Sequence, residues 1–157
     1  MKYIEAPQNF HPDGRPSVYL AGQSMGCPDW QAEAVNLFAT AGFTGTVLSP
    51  RPSRNPRFDP FWAWRPNGWQ DQTIGRCDIA MFWRPLGLDR VQDLYELHLF
   101  GRSKTTVVVG CDPRDPVQAT ARAAIHARMP WLPVEPTLGE TVRAALTHLG
   151  ALATTRP

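Results

Sequence analysis

Glu96 has the type and setting best suited to chemistry in this chain. It lies in Asp93-Leu94-Tyr95-Glu96, where the pattern predicts the first turn of a helix running from about Asp93 to Arg102. The partial positive charge of a helix N-terminus favours an ionised carboxylate there. A positioned carboxylate can attack a sugar carbon and form a covalent glycosyl intermediate. The same four residues also read as a capping box, with Asp93 as N-cap and Glu96 at the third helical position. Asp71, in Trp69-Gln70-Asp71-Gln72, is a second carboxylate early in an expected helix. Beside Glu96 its pKa would rise, and it could protonate a leaving base. By itself it is a solvated helix residue. Tyr19 could reach Glu96 from the first strand if it faces the site, or it is a core tyrosine with a satisfied hydroxyl. Gly22, Gln23 and Ser24 offer donors to a phosphate or a sugar hydroxyl, without the spacing of a GxGxxG or P-loop motif. Phe58, Phe61, Trp62, Trp64 and Trp69 could stack on a nucleobase or build an oligomer interface.

These residues need a frame, and the pattern supplies one. Short apolar runs alternate with amphipathic stretches, which argues for βαβ units and a parallel sheet. Strands are expected at Ser17–Ala21, Thr46–Leu48, Ile79–Trp83 and Thr105–Gly110, with Trp131–Val134 as an edge strand. Helices are expected from about Trp30 to Ala41, stopped by Gly42, and then from Gly68 to Arg76. Two more are expected, from Pro116 to Met129 and from Thr137 to Leu152, the last with Thr137 as N-cap and Glu140 three residues on. Right-handed crossovers put all strand C-termini on one edge, where ligands of such sheets bind. The loop from Gly22 to Gly26, the Pro-, Arg- and Trp-rich stretch from Ser49 to Asn67, and the turn from Arg84 to Arg90 all leave from that edge. Residues 1–15, polar and rich in turn formers, read as an N-terminal extension. Residues 16–152 read as one domain, and residues 153–157 as a tail.

Composition narrows the classes of function. The 157 residues suit one domain, which buries roughly 70% of the surface of the unfolded chain. A hydrophobic fraction of 43% against 19% charged is that of a globular protein. The net charge of +2, mostly arginine against carboxylates, has no basic block, so a nucleic-acid backbone is not the expected partner. No apolar run reaches the ~18 residues of a membrane span. Cys27, Cys77 and Cys111 form an odd set without CxxC spacing, as expected of free thiols in the cytoplasm. His11, His98, His126 and His148 show no metal-ligand spacing, so neither metal nor cofactor is expected.

Several segments, in order, resemble the nucleoside 2-deoxyribosyltransferase family in its short bacterial form. They are Val18-Tyr19-Leu20-Ala21-Gly22, Cys27-Pro28-Asp29-Trp30-Gln31, Val47-Leu48-Ser49-Pro50-Arg51, Trp69 through Trp83, and Leu94-Tyr95-Glu96-Leu97 with the strand that follows. The resemblance implies a three-layer, flavodoxin-like or Rossmann-like fold around a five-stranded, mainly parallel sheet. It also implies a homo-oligomer, dimer or larger, and a double displacement at C1′ of a nucleoside. On that basis Glu96 would be the nucleophile, Asp71 and Asp93 acids, and Tyr19 the residue that holds Glu96. Gly22, Gln23, Ser24, Asp29, Arg51, Trp69 and Gln70 would bind substrate. Alternatives are a nucleoside 5′-monophosphate N-glycosidase, for which Ser24, Arg51 and Arg54 would meet the phosphate, and a non-catalytic nucleotide-binding module. Gln70 and His98 depart from the family's pattern, where Glu and Gly are usual.

Overall fold

The computed structural model describes residues 1–23, 26–51, 68–86, 105–115 and 118–155. In chain order the elements are β1 (Lys2–Glu5), β2 (Ser17–Ala21), α1 (Trp30–Thr40), β3 (Thr46–Ser49), α2 (Trp69–Ile74) and β4 (Ile79–Arg84). β5 (Thr106–Cys111), α3 (Gln118–Arg128), β6 (Val134–Glu135) and α4 (Leu138–Thr155) follow. The strands form one sheet in the order β1-β3-β2-β4-β5-β6, and every pairing within it is parallel. With β1 set aside, the remaining five run 2-1-3-4-5 in their own order, which is the flavodoxin-like arrangement.

The sheet has six strands rather than the expected five, because the polar N-terminal segment supplies one. Lys2 to Glu5 pair with Thr46 to Ser49 along the outer edge of β3. An edge strand need bury only one face, so its pattern is sparse. Ile4 enters the core and Tyr3 stays 37% exposed. Ala6 and Phe10 then pack into the same core, so the segment is part of the domain body. At the other edge, strand pairing begins at Val134, and Trp131, expected in a strand, is 76% exposed.

β2 and β4 are buried along their whole length, as continuous apolar runs in a doubly covered sheet require. Their side chains alternate between two clusters. Tyr19, Ala21, Ala80 and Phe82 pack with Trp69 and Ile74 of α2 and Ile125 of α3. Val18, Leu20, Ile79 and Met81 pack with Trp30, Ala34 and Phe38 of α1 and with Val142, Ala145 and Leu149 of α4. Each large side chain so buried contributes roughly 1.5–3 kcal/mol.

Local signals fix the helix ends. The Asp29 carboxylate caps α1 by accepting from the Ala32 amide at 3.1 Å. Gly42 ends it at φ +73°, the Phe43 and Gly42 amides reach back to the Phe38 and Ala39 carbonyls, and the Phe38 and Phe43 rings meet at 5.4 Å. That is a Schellman stop with its apolar contact. The Thr137 hydroxyl accepts from the Glu140 amide at 3.1 Å and donates to the Glu140 carboxylate at 2.7 Å. At the amino edge, Asp78 accepts from the Ser17 amide and hydroxyl, while its own amide donates to that hydroxyl. These bonds tie the starts of β2 and β4 together.

Candidate functional site

The strand order reverses between β2 and β4, so the crevice that ligands favour opens at the carboxyl ends of those two strands. Gly22 leaves β2 there at φ +125°. A Cβ on Gly22 would lie 2.5 Å from the Trp83 carbonyl oxygen of β4, so only glycine lets the two backbones approach this closely. The next residue, Gln23, is held by its carbonyl. That oxygen accepts from the Trp30 indole at 2.7 Å, the Gln31 carboxamide at 3.2 Å and the Cys27 thiol at 3.3 Å. The other end of the Gln31 carboxamide, Oε1, is buried and has no hydrogen-bond partner among the described residues. Ser24, the next predicted ligand residue, lies outside the described residues.

On the face covered by α2, Tyr19 and Trp69 meet with ring centroids 5.9 Å apart and planes tilted by 40°. Both are buried, and the Trp69 indole donates to the Gln8 carbonyl at 2.6 Å. α2 precedes β4 and runs against it, so its first turn sits at the carboxyl edge. That turn brings Trp69, Gln70 and Asp71 beside the switch point, with Gln70 buried and Asp71 exposed. Asp71 and Tyr19 are therefore on one face of the sheet and near one edge. Glu96 and Asp93, the residues it would join to them, lie outside the described residues, as do Arg54, His98 and the aromatic residues from Phe58 to Trp64.

The opposite face carries an open cleft of about 450 Å³. Ile4 packs with the Tyr19 cluster, so strand alternation turns Tyr3 and Glu5 to the α1 side. There they line the cleft with Gln8 from the segment after β1, Arg51 just beyond β3, and Asp29 and Asn36 of the α1 region. Ala32 and Val35 form its apolar part. Arg51 Nε stands 3.5 Å from the Asp29 carboxylate, while Arg51 Nη1 points to the Pro28 carbonyl at 3.5 Å. Burial pushes the Tyr3 phenol up to about 12, against the opposing pull of a hydrogen bond with Ser49, so it stays protonated. Asp29 and Arg51 were expected to bind substrate, and they meet here. Tyr3, Glu5 and Gln8 were missed. The alternation around Ile4 was a signal for them, but a single apolar residue is too little to set a strand apart from a polar extension.

Further along the carboxyl edge, a buried ion pair joins Arg84, at the end of β4, to Asp115 after β5. The Asp112 amide donates to the Arg84 carbonyl at 3.0 Å, and the Asp112 carboxylate is clasped by Arg114, which holds its pKa below the usual carboxylate range. Burial pushes the Cys77 thiol up, and it lifts Cys111 to about 11 with help from the Asp115 charge, so neither is a ready thiolate nucleophile.

Among the described residues no group of His, Cys, Asp or Glu stands together in a way that could hold a metal ion. No helix among them is long and apolar enough to cross a membrane. Neither protein-family models nor curated proteins match this chain.

Proposed function

We propose that this protein is an enzyme that cuts the N-glycosidic bond of (deoxy)nucleosides by double displacement through Glu96. In the first step a Glu96 carboxylate oxygen bonds to C1′ as the C1′–N bond breaks. The electron pair leaves with the base, which takes a proton from Asp71, assisted by Asp93. In the second step water or another base attacks C1′ and frees Glu96, so the sugar keeps its configuration. Tyr19 would hold the Glu96 carboxylate. A homo-oligomer working in the cytoplasm belongs to the same reading, in keeping with three free cysteines.

The observation that supports this reading is the meeting of Tyr19 with the first turn of α2 beside the switch point of a flavodoxin-like sheet. Folds of this kind bind ligands at that edge, and the turn there carries Asp71. The nucleophile itself rests on the resemblance of Leu94-Tyr95-Glu96-Leu97. The test is base release from purine and pyrimidine nucleosides and their 5′-monophosphates. Glu96→Ala should lose it by several orders of magnitude and Asp71→Asn by about 10²–10⁴-fold. Base release at the parental rate in Glu96→Ala would remove Glu96 from the reaction.

A further inference from the structure

We propose that the stretch from Ala6 to Phe10 is a positioning strap: it holds the Trp69 indole and thereby fixes the first turn of α2, which carries Asp71. The role rests on the catalytic reading above and deepens it, since Trp69 then serves as a positioning residue and not as a platform for substrate.

The strap leaves β1 at the carboxyl edge, where the Ala6 amide donates to the Ser49 carbonyl at 3.0 Å. Ala6 and Phe10 are buried in the cluster that holds Tyr19, Trp69 and Ile74, while Pro7, Gln8 and Asn9 between them are exposed. Two buried side chains thus pin a short arch of backbone. The Gln8 carbonyl, at the middle of that arch, accepts from the Trp69 indole at 2.6 Å. The Phe10 carbonyl accepts a longer bond, 3.5 Å, from Arg76 just past the end of α2. The strap therefore meets the helix at its first residue and again beyond its last.

α2 is a helix that needs such support. It has six residues, and isolated helices shorter than about 12–15 residues are marginal in water. Gly68, at its N-cap, has no side chain to offer a capping bond. Its far end is fixed to the sheet, where the Thr105 hydroxyl donates to the Ile74 carbonyl at 3.0 Å. Its first turn leans on Trp69. A buried indole N–H is a donor only and requires an acceptor, and the strap supplies a main-chain one whose place is set by Ala6 and Phe10. The same ring lies against Tyr19 with centroids 5.9 Å apart, so movement of the indole is felt by Tyr19 as well as by the turn that carries Asp71. A displacement of about 1 Å can cost a positioned reaction on the order of 10²-fold.

The test compares two strap variants of the full chain. Trp69→Phe keeps a ring against Tyr19 but removes the N–H, and Phe10→Ala frees the far anchor without touching Trp69. Val142→Ala, in the core cluster of the opposite face, is the control for general loss of stability, with urea used to bring all three to equal folding free energy. One reading needs no substrate: hydrogen exchange of the Gln72 amide, which closes the first turn of α2 on the Gly68 carbonyl at 3.2 Å. Exchange there should quicken at least about tenfold in both strap variants relative to Val142→Ala, as the turn opens locally. The second reading is base release without urea. Its kcat should fall about tenfold or more in both strap variants at a KM within about twofold of the parental value, while Val142→Ala keeps both constants. Gln72 exchange equal in all three variants, or kcat retained while exchange quickens, would overturn the proposal. Absence of base release from the parental chain would sink the catalytic reading, and the hold of the strap on α2 would then be decided by the exchange rates alone.

Discussion

The two faces of the sheet arrive at the carboxyl edge in opposite conditions. Under α2 the described side chains pack together: Tyr19 lies against Trp69, and the Trp69 indole N–H is committed to Gln8. Under α1 the outermost strand runs past the helix and leaves a polar cleft. The difference comes from the reach of each covering element. Trp69 is large enough to span from α2 to β2, whereas α1 lines the cleft with Ala32, Val35 and Asn36. Trp69, attractive as a ligand platform in the sequence, here packs against Tyr19. Small residues and an edge strand make the room.

The contrast can be broken most severely at Trp69. Trp69→Ala removes a buried indole together with the partner of the Gln8 carbonyl and should cost about 3–5 kcal/mol, read as a lower urea midpoint at unchanged slope. A loss under 1 kcal/mol would mean that the α2 face is not the packed one. Asp29 sharpens the other side. Asp29→Ala should cost about 1 kcal/mol through loss of the α1 cap, and Asp29→Asn close to nothing, both by thermal or urea melts. Equal losses in the two variants would assign the stabilisation to the Arg51 pair instead of the cap. The smallest effect is at Tyr3. Its folded pKa of about 12 exceeds the ordinary tyrosine value near 10, so above pH ~10 the unfolded chain releases this proton and the folded chain keeps it. Stability should therefore fall as pH rises from about 10 toward 12. Tyr3→Phe should fall less steeply, measured by urea unfolding at pH 9, 10 and 11. Identical slopes would show that the phenol is already solvated.

Much of this frame could be read from residue types. β2, β4 and β5 are legible because a strand buried on both faces must be apolar throughout, as Ile79 to Trp83 is. Gly42 and Thr137 were legible because each end of a helix leaves backbone groups that only certain residues satisfy, whereas the capping role of Asp29 was not read. β1 was not, since an edge strand with one covered face needs little more than Ile4 to be held. The cleft went unread for the same reason, as Tyr3, Glu5 and Gln8 acquire meaning only through the register that sets them beside Thr46 to Arg51. Among the candidate site residues, Tyr19 and Asp71 could be assigned to the carboxyl edge from topology. Glu96 lies outside the described residues, and its local pattern by itself favours a helix cap over a nucleophile.

The Gln23 oxygen that gathers three donors belongs to the backbone, not to the glutamine side chain. These three bonds do not involve the side chain at position 23, and the shortest of them comes from the Trp30 indole. Relatives of this chain could exchange residue 23 to suit a new ligand while the loop keeps its shape. Position 30, seven residues on and buried at the start of α1, would be the one held constant.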